Sequence, residues 1–280
     1  MWSPAFRVRV LRDQAELDGD PAVPGCVFVP TMGALHEGHA ALIRKGAELA
    51  RHRGEACIVS IFVNPTQFNE RSDFERYPKT LEADVALCRE AGAEAVFAPS
   101  VEVMYPDERS APVPPLPRVA VEPGLEDRFR PGHFAGVCQV VLRLFRLVRP
   151  AAAVFGEKDW QQLRVVAAMT REQGLPIEII GHETIRDPDG LAMSSRNRFL
   201  SAAEREAALA IPRALLAARR ERTASEAERA MAAMLSGLDV EYAVVRDAQS
   251  LGTLGNGPAR ALIAARAGRT RLIDNAAWSP

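Results

Sequence analysis

Over residues 1–182, short uninterrupted apolar runs alternate with stretches of helical periodicity, and that alternation leaves few folds open. The apolar runs fall at 26–29, 56–61, 95–98, 153–155 and 177–180. Helical patterns lie between them at 35–51, 80–91, 134–148 and 160–173. Runs that short and that continuous read as strands buried on both faces, and strands separated by helices imply a parallel sheet covered on both sides. Such sheets bind ligands at the carboxyl ends of their strands. After Gly181 the pattern changes. Polar turn residues run to Asn197, then an Ala-rich helix is expected over 202–220 with Ser201 as its N-cap, and a second helix over 225–235. Short strands follow at 241–246, 260–265 and 270–273. The expected organisation is α/β: a Rossmann-like domain over 1–182 and a smaller α+β domain over 183–280.

The formal net charge is -1, from 35 basic and 36 acidic residues. That balance argues against a broad nucleic-acid surface. The longest apolar stretch, 137–148, is interrupted by Gln139, Arg143 and Arg146, too short and too charged to span a bilayer. Arg7, Arg9 and Arg12 break up the N-terminal stretch, which argues against a signal peptide. Cys26, Cys57, Cys88 and Cys138 form no CxxC pair and lie in apolar or helical patterns, as buried thiols in a reducing, cytoplasmic setting do. Only Lys45, Lys79 and Lys158 are lysines among the basic residues. A lysine kept against a bias towards arginine draws notice to Lys158.

Four clusters carry chemistry. Pro30-Thr31-Met32-Gly33-Ala34-Leu35-His36-Glu37-Gly38-His39 leaves the first strand and opens the first helix, where unpaired N–H groups and the helix dipole favour an anion. Gly33 is read as permitting the turn and Gly38 as permitting close approach of a ligand. His36 and His39 share a helix face and suit a polyphosphate; their spacing is wrong for a zinc-protease helix, and two surface histidines in a helix cap are the bland alternative. Gly156-Glu157-Lys158-Asp159 repeats the strand–turn–helix arrangement, with Gly156 expected to leave little room beside Lys158, although the carboxylates are also ordinary first-turn residues. Met193-Ser194-Ser195-Arg196-Asn197 places two hydroxyls and a guanidinium in a loop, phosphate-binding or merely a solvated hinge. Asn64 and Gln67, neutral amides at the ligand end of the second strand, fit hydroxyls or a carboxylate, while an Asn-Pro turn accounts for Asn64 alone.

Together these strings resemble the pantothenate synthetase (pantoate–β-alanine ligase) family. The likeness covers VPTMGALHEGH at 29–39, VSIFVNPTQF at 59–68, YPKT at 77–80, MYP at 104–106, GHFAGV at 132–137, VFGEKDWQQL at 154–163, DGLAMSSRNRFLS at 189–201 and TRLIDN at 270–275. The resemblance implies a Rossmann-like ATP-binding domain, a C-terminal lid and a homodimer. It implies that ATP with Mg²⁺ adenylates pantoate and that β-alanine then displaces AMP. It places Met32 to His39, Gly156 to Asp159, Ile185 and Met193 to Arg196 on ATP, with His39 as proton donor. It places Gln67 and Gln162 on pantoate, with Gln67 near the β-alanine site; Asn64 is a further candidate substrate contact on its residue type and position alone. His36, His39, Lys158 and Arg196 are the catalytic candidates. Asp84, following Ala83 where some relatives have paired acids, is the candidate for Mg²⁺. Other HxGH adenylyltransferases, which would need extra cations for a second phosphate, and a non-enzymatic nucleotide-binding module remain as alternatives.

Overall fold

The structure, a computed structural model, describes residues 8–67, 78, 80–107 and 111–280. Phe68, Tyr77 and Lys79, which belong to two of the family strings, lie outside the described residues. In chain order the first region comprises β1 (Arg9–Leu11), α1 (Gln14–Gly19), β2 (Val27–Thr31), α2 (Glu37–Arg53), β3 (Cys57–Ile61), α3 (Leu81–Glu90) and β4 (Ala95–Phe97). It continues with α4 (Val101–Met104), α5 (Glu126–Phe129), α6 (His133–Val148), β5 (Ala152–Gly156), α7 (Trp160–Glu172) and β6 (Glu178–His182). The six strands form one parallel sheet in the order β1-β4-β3-β2-β5-β6.

Alternation along the strands divides the core. Phe28, Ile58, Phe97 and Phe155 face α6 and α7, where Phe145 and Met169 pack. Val27, Val29, Val59 and Val96 face α2 and α3, where Ile43 and Cys88 pack. Twelve residues of α6 are buried, so the interrupted apolar stretch is a core helix. Its polar residues serve the chain around it: Gln139 donates to Ala111 O, and Arg143 to Val103 O and Met104 O. β1 has no counterpart among the expected strands, because its exposed Arg9 gives it the look of a charged segment; it is an edge strand on β4.

Winding sets the ligand site. From β2 the chain moves through β3 to β4 in one direction, then returns to place β5 on the other side of β2. The carboxyl ends of β2 and β5 therefore flank the switch point, where a crevice opens above the sheet. Gly136 closes one side of it. A Cβ there would lie 2.3 Å from Thr66 O, so only glycine lets α6 approach the single helical turn Pro65–Gln67 this closely.

The second region holds α8 (Ala202–Ala208), α9 (Ala210–Ala218), α10 (Ala224–Met234), β7 (Asp239–Asp247), β8 (Ala259–Ala267) and β9 (Thr270–Trp278). Ser201 caps α8 in a reciprocal box with Glu204. The single helix expected over 202–220 is two helices, because Pro212 has no N–H for Ala208 O and its ring crowds that carbonyl. The strands form an antiparallel sheet, β7-β8-β9, and are longer than expected. β8 stays buried along most of its length because α8 and α9 cover one face while Leu262 joins the core of the first region. Among the described residues no helix is long and apolar enough to cross a membrane.

Candidate active site

The turn after β2 is built from unusual backbone. Gly33 and Ala34 both have positive φ, 81° and 51°. A non-glycine residue in that region costs energy unless neighbours hold it. Asp84, 3% exposed on α3, supplies the hold: its two carboxylate oxygens accept Ala34 N at 3.0 Å and Leu35 N at 2.8 Å. Thr80 Oγ1 also donates to Asp84, at 3.1 Å.

His36 and His39 then cap α2 reciprocally. His36 Nδ1 accepts Gly38 N at 3.1 Å, and His39 Nδ1 accepts His36 N at 3.2 Å. A backbone N–H can only donate, so in this arrangement both Nδ1 atoms are unprotonated and both Nε2 atoms carry the hydrogen. Burial, then Lys158, lowers the pKa of His36. Burial, then His36 and Lys158, lowers that of His39 to about 3. Gly38, read from the sequence as making room for a ligand, lines the cleft and also makes room for the cap: a Cβ there would meet His36 Cε1 at 2.9 Å.

The turn after β5 brings Lys158 beside Asp159, Nζ to Oδ2 3.7 Å. Burial raises the Asp159 carboxyl, but Lys158, Arg196 and Arg130 outweigh it and hold it below the usual carboxylate range. The expectation of a tight glycine here does not hold. Gly156 has ordinary backbone, φ -75°, and a Cβ would meet nothing closer than Leu42 at 3.8 Å.

The loop bearing Ser194, Ser195 and Arg196 closes the crevice from the second region. Ser194 Oγ accepts Arg196 N, and Asn197 Nδ2 donates to Ala192 O. Arg205 of α8 holds Asp187 and Asp189 at the loop's start.

One cleft gathers Met32, His36, Gly38, His39, Gln67, Gly156, Lys158, Asp159, Gln162, Ile185, Met193, Ser194, Ser195 and Arg196. The other candidates do not line it. Gly33, Ala34 and Leu35 form the turn beneath, Glu37 is exposed, and Glu157 turns away to Arg260 at 2.8 Å. Asn64 was expected at the ligand, but it is wholly buried and its amide is engaged: Nδ2 donates to Gly136 O, while Oδ1 accepts Tyr105 OH at 2.8 Å and Thr66 Oγ1 at 3.2 Å. Asp84 was expected at Mg²⁺, but its oxygens are taken as described, and no three His, Cys, Asp or Glu side chains converge as a metal site among the described residues.

Sequence reading missed the apolar wall of Phe62, Val137, Val140, Val141 and Leu144 beside Gln67. It also missed Arg130, which adjoins Lys158, Asp159 and Arg196 in a neighbouring crevice, and His133, whose ring nitrogen lies 3.4 Å from Gln67 O. Burial, then Arg130, lowers the pKa of His133 to about 4. The available signal was GHFAGV, which opens α6 at the cleft.

The family profile described as Pantoate-beta-alanine ligase matches residues 8–277. The chain belongs to the pantoate–β-alanine ligase family. As a member of that family it is a ligase. It is 50% identical to the pantothenate synthetase of Rubrobacter xylanophilus over 295 aligned positions, covering 98% of this chain and 99% of the relative. The crystal structure of pantothenate synthetase from Thermus thermophilus superposes with a TM-score of 0.89 at 41% identity, covering 98% of this chain and 100% of that one. The Francisella tularensis pantoate-beta-alanine ligase, solved with beta-gamma ATP and beta-alanine, superposes with a TM-score of 0.76 at 32% identity, covering 96% and 97%.

Proposed function

We propose that this chain condenses pantoate with β-alanine at the expense of ATP, through a pantoyl adenylate. The observation that carries the reading is the composition of the cleft: imidazoles on one βα turn, Lys158 on the other, Arg196 opposite, and the two amides Gln67 and Gln162 against an apolar wall. The cationic part fits a triphosphate. The amide and apolar part fits a small branched acid with hydroxyls and geminal methyl groups. A second phosphorylated substrate would need cations where this wall is apolar, which disfavours the adenylyltransferases that join AMP to a phosphate.

In the first step a pantoate carboxylate oxygen attacks the α-phosphorus, the bond to the bridging oxygen breaks and pyrophosphate leaves. Negative charge grows on the non-bridging oxygens, where fixed donors act most strongly. Lys158 and Arg196 supply charge there. His36 and His39 donate Nε2–H hydrogen bonds as neutral imidazoles; with its pKa lowered to about 3, His39 does not surrender a proton near neutrality. Gln67 and Gln162 orient pantoate, and alignment of the two reactants contributes much of the rate. In the second step the β-alanine amine attacks the acyl carbon, AMP leaves and the amine loses a proton. Mg²⁺ belongs to the substrate as MgATP; the donor set around Asp84 does not fit a protein-held ion.

The reading includes a catalytic domain over 1–182, a lid over 183–280, a homodimer and a cytoplasmic setting, the last supported by four buried free cysteines. Pantoate-dependent exchange of labelled pyrophosphate into ATP tests the chemistry. Exchange that needs pantoate supports it; exchange indifferent to pantoate overturns it.

A further inference from the structure

Although Arg271 to Asp274 line the neighbouring crevice with Lys158 and Arg196, none of residues 270–275 lines the main cleft. Two of them sit side by side on β9, both buried: Asp274 is 3% exposed and Asn275 4%. Neighbours on a strand point to opposite faces, so the pair reaches two different segments.

Asn275 reaches the turn after β5. Its Nδ2 donates to Glu157 O at 2.9 Å and Lys158 O at 2.8 Å. Its Oδ1 accepts Arg260 Nε at 2.5 Å. Donors and acceptors lie on opposite sides, so the amide has one satisfactory orientation. Arg260 is itself held, stacked 3.5 Å from the centre of the Trp160 ring and paired with Glu157 Oε2. Asp274 reaches the other cation-bearing segment. It takes Arg186 in a bidentate pair at 2.7 and 2.9 Å, and Arg186 also donates to Gly190 O at 3.0 Å. That loop runs on through Met193 to Arg196.

We propose that Asp274 and Asn275 are positioning residues that set Lys158 and Arg196 against one another across the cleft, β9 acting as the spacer. The proposal rests on the functional reading above for the use of those two cations. The turn after β5 has no side-chain cap, and beyond the strand end at Gly156 it is held by the Glu157 pair with Arg260 and by Asn275. Displacing β9 moves the Lys158 peptide with it.

The test has two parts. Lys158 and Lys45 are labelled together by reductive methylation, and mass spectrometry gives the ratio of their rates; no substrate is needed, and Lys45, exposed on α2, is the internal reference. Asn275→Ala removes both donations to the turn. Asn275→Asp keeps the volume and the Arg260 acceptor while turning an oxygen towards two carbonyls, so it serves if the alanine variant does not fold. Either variant is expected to change the Lys158 to Lys45 ratio by about fivefold or more. Asp274→Asn is expected to leave that ratio at the wild-type value. In pantoate-dependent exchange, Asn275→Asp is expected to lower kcat about tenfold with the KM for pantoate unchanged, and to add little in a Lys158→Ala background. An unchanged labelling ratio overturns the proposal. So does an exchange defect that persists in full without Lys158, since that marks a general structural role. If the wild-type protein shows no exchange at all, the functional reading fails, while the labelling ratio still decides whether Asn275 positions Lys158.

Discussion

The turns after β2 and after β5 face each other across the switch point, yet they are held in opposite ways. The first is held from within its own region. His36 and His39 cap each other within one helical turn, and Asp84, from the helix that follows β3, grips Ala34 and Leu35. The second has ordinary backbone and no cap of its own, and its carbonyls are held from β9, more than a hundred residues away in the chain. One half of the site is therefore set by contacts within the first region and the other by the docking of the second region. The first turn is expected to respond to changes within the first region, whereas the second is sensitive to changes on β9.

The largest expected effect is on the first turn. His39→Ala removes a donor and half of the cap, and loss of one fixed donor at a developing oxyanion costs about 10²- to 10³-fold in rate. Pantoate-dependent exchange should fall by that order, with loss of the cap costing only about 1 kcal/mol of stability. A variant with near-normal formation of the adenylate in a single turnover would remove His39 from the chemistry. Asp84→Ala comes next. It orphans two backbone donors under a positive-φ turn, and each unsatisfied buried group costs about 1–3 kcal/mol. Denaturant unfolding should show a loss of about 3 kcal/mol, with Asp84→Asn recovering part of it.

The two glycines sharpen the contrast. Gly33→Ala forces a Cβ to 3.0 Å from Asp84 and from Ile61 at φ 81°, and is expected to cost about 1–3 kcal/mol. Gly156→Ala meets only Leu42 at 3.8 Å and is expected to change stability by less than about 0.5 kcal/mol. Equal losses in the two would mean that the second turn is as constrained as the first. The effect that is smallest at neutral pH is in pH dependence, and it grows as the pH falls. His39 binds a proton near 6.5 in an unfolded chain and only near about 3 in the folded one. Between those values the unfolded chain carries more protons, so this contribution is complete above 6.5 and is lost as pH falls towards 3. His39→Gln should flatten the stability profile in that window; an unchanged profile would place the buried titration elsewhere.

Legibility followed the same division. The HxGH turn was readable because strand, turn glycine and helix start are contiguous, and contiguous residues share a local geometry. The paired glutamines of α7 show where that stops. Gln162 lines the cleft, whereas Gln161 is buried, bonded to Glu126 N, Val119 O and Asp127. Identical side chains one residue apart differ only in which face the helix turns to the core. Asn64 misled for the same reason: a neutral amide near the ligand end of a strand has the same sequence signature whether it meets a substrate or a neighbouring helix.

What the sequence by itself determined was the alternation of buried strands and helices, the two βα turns, and the residue types able to meet a triphosphate. These follow from periodicity and from the backbone needs of a strand-to-helix turn. Only the tertiary structure decided that Asp84 supports a turn, that Gly136 admits the Gln67 turn against α6, and that β9 bonds the Lys158 turn and Arg186. Each depends on a contact between segments far apart in the chain, and no local pattern encodes which distant partner a buried polar group will find.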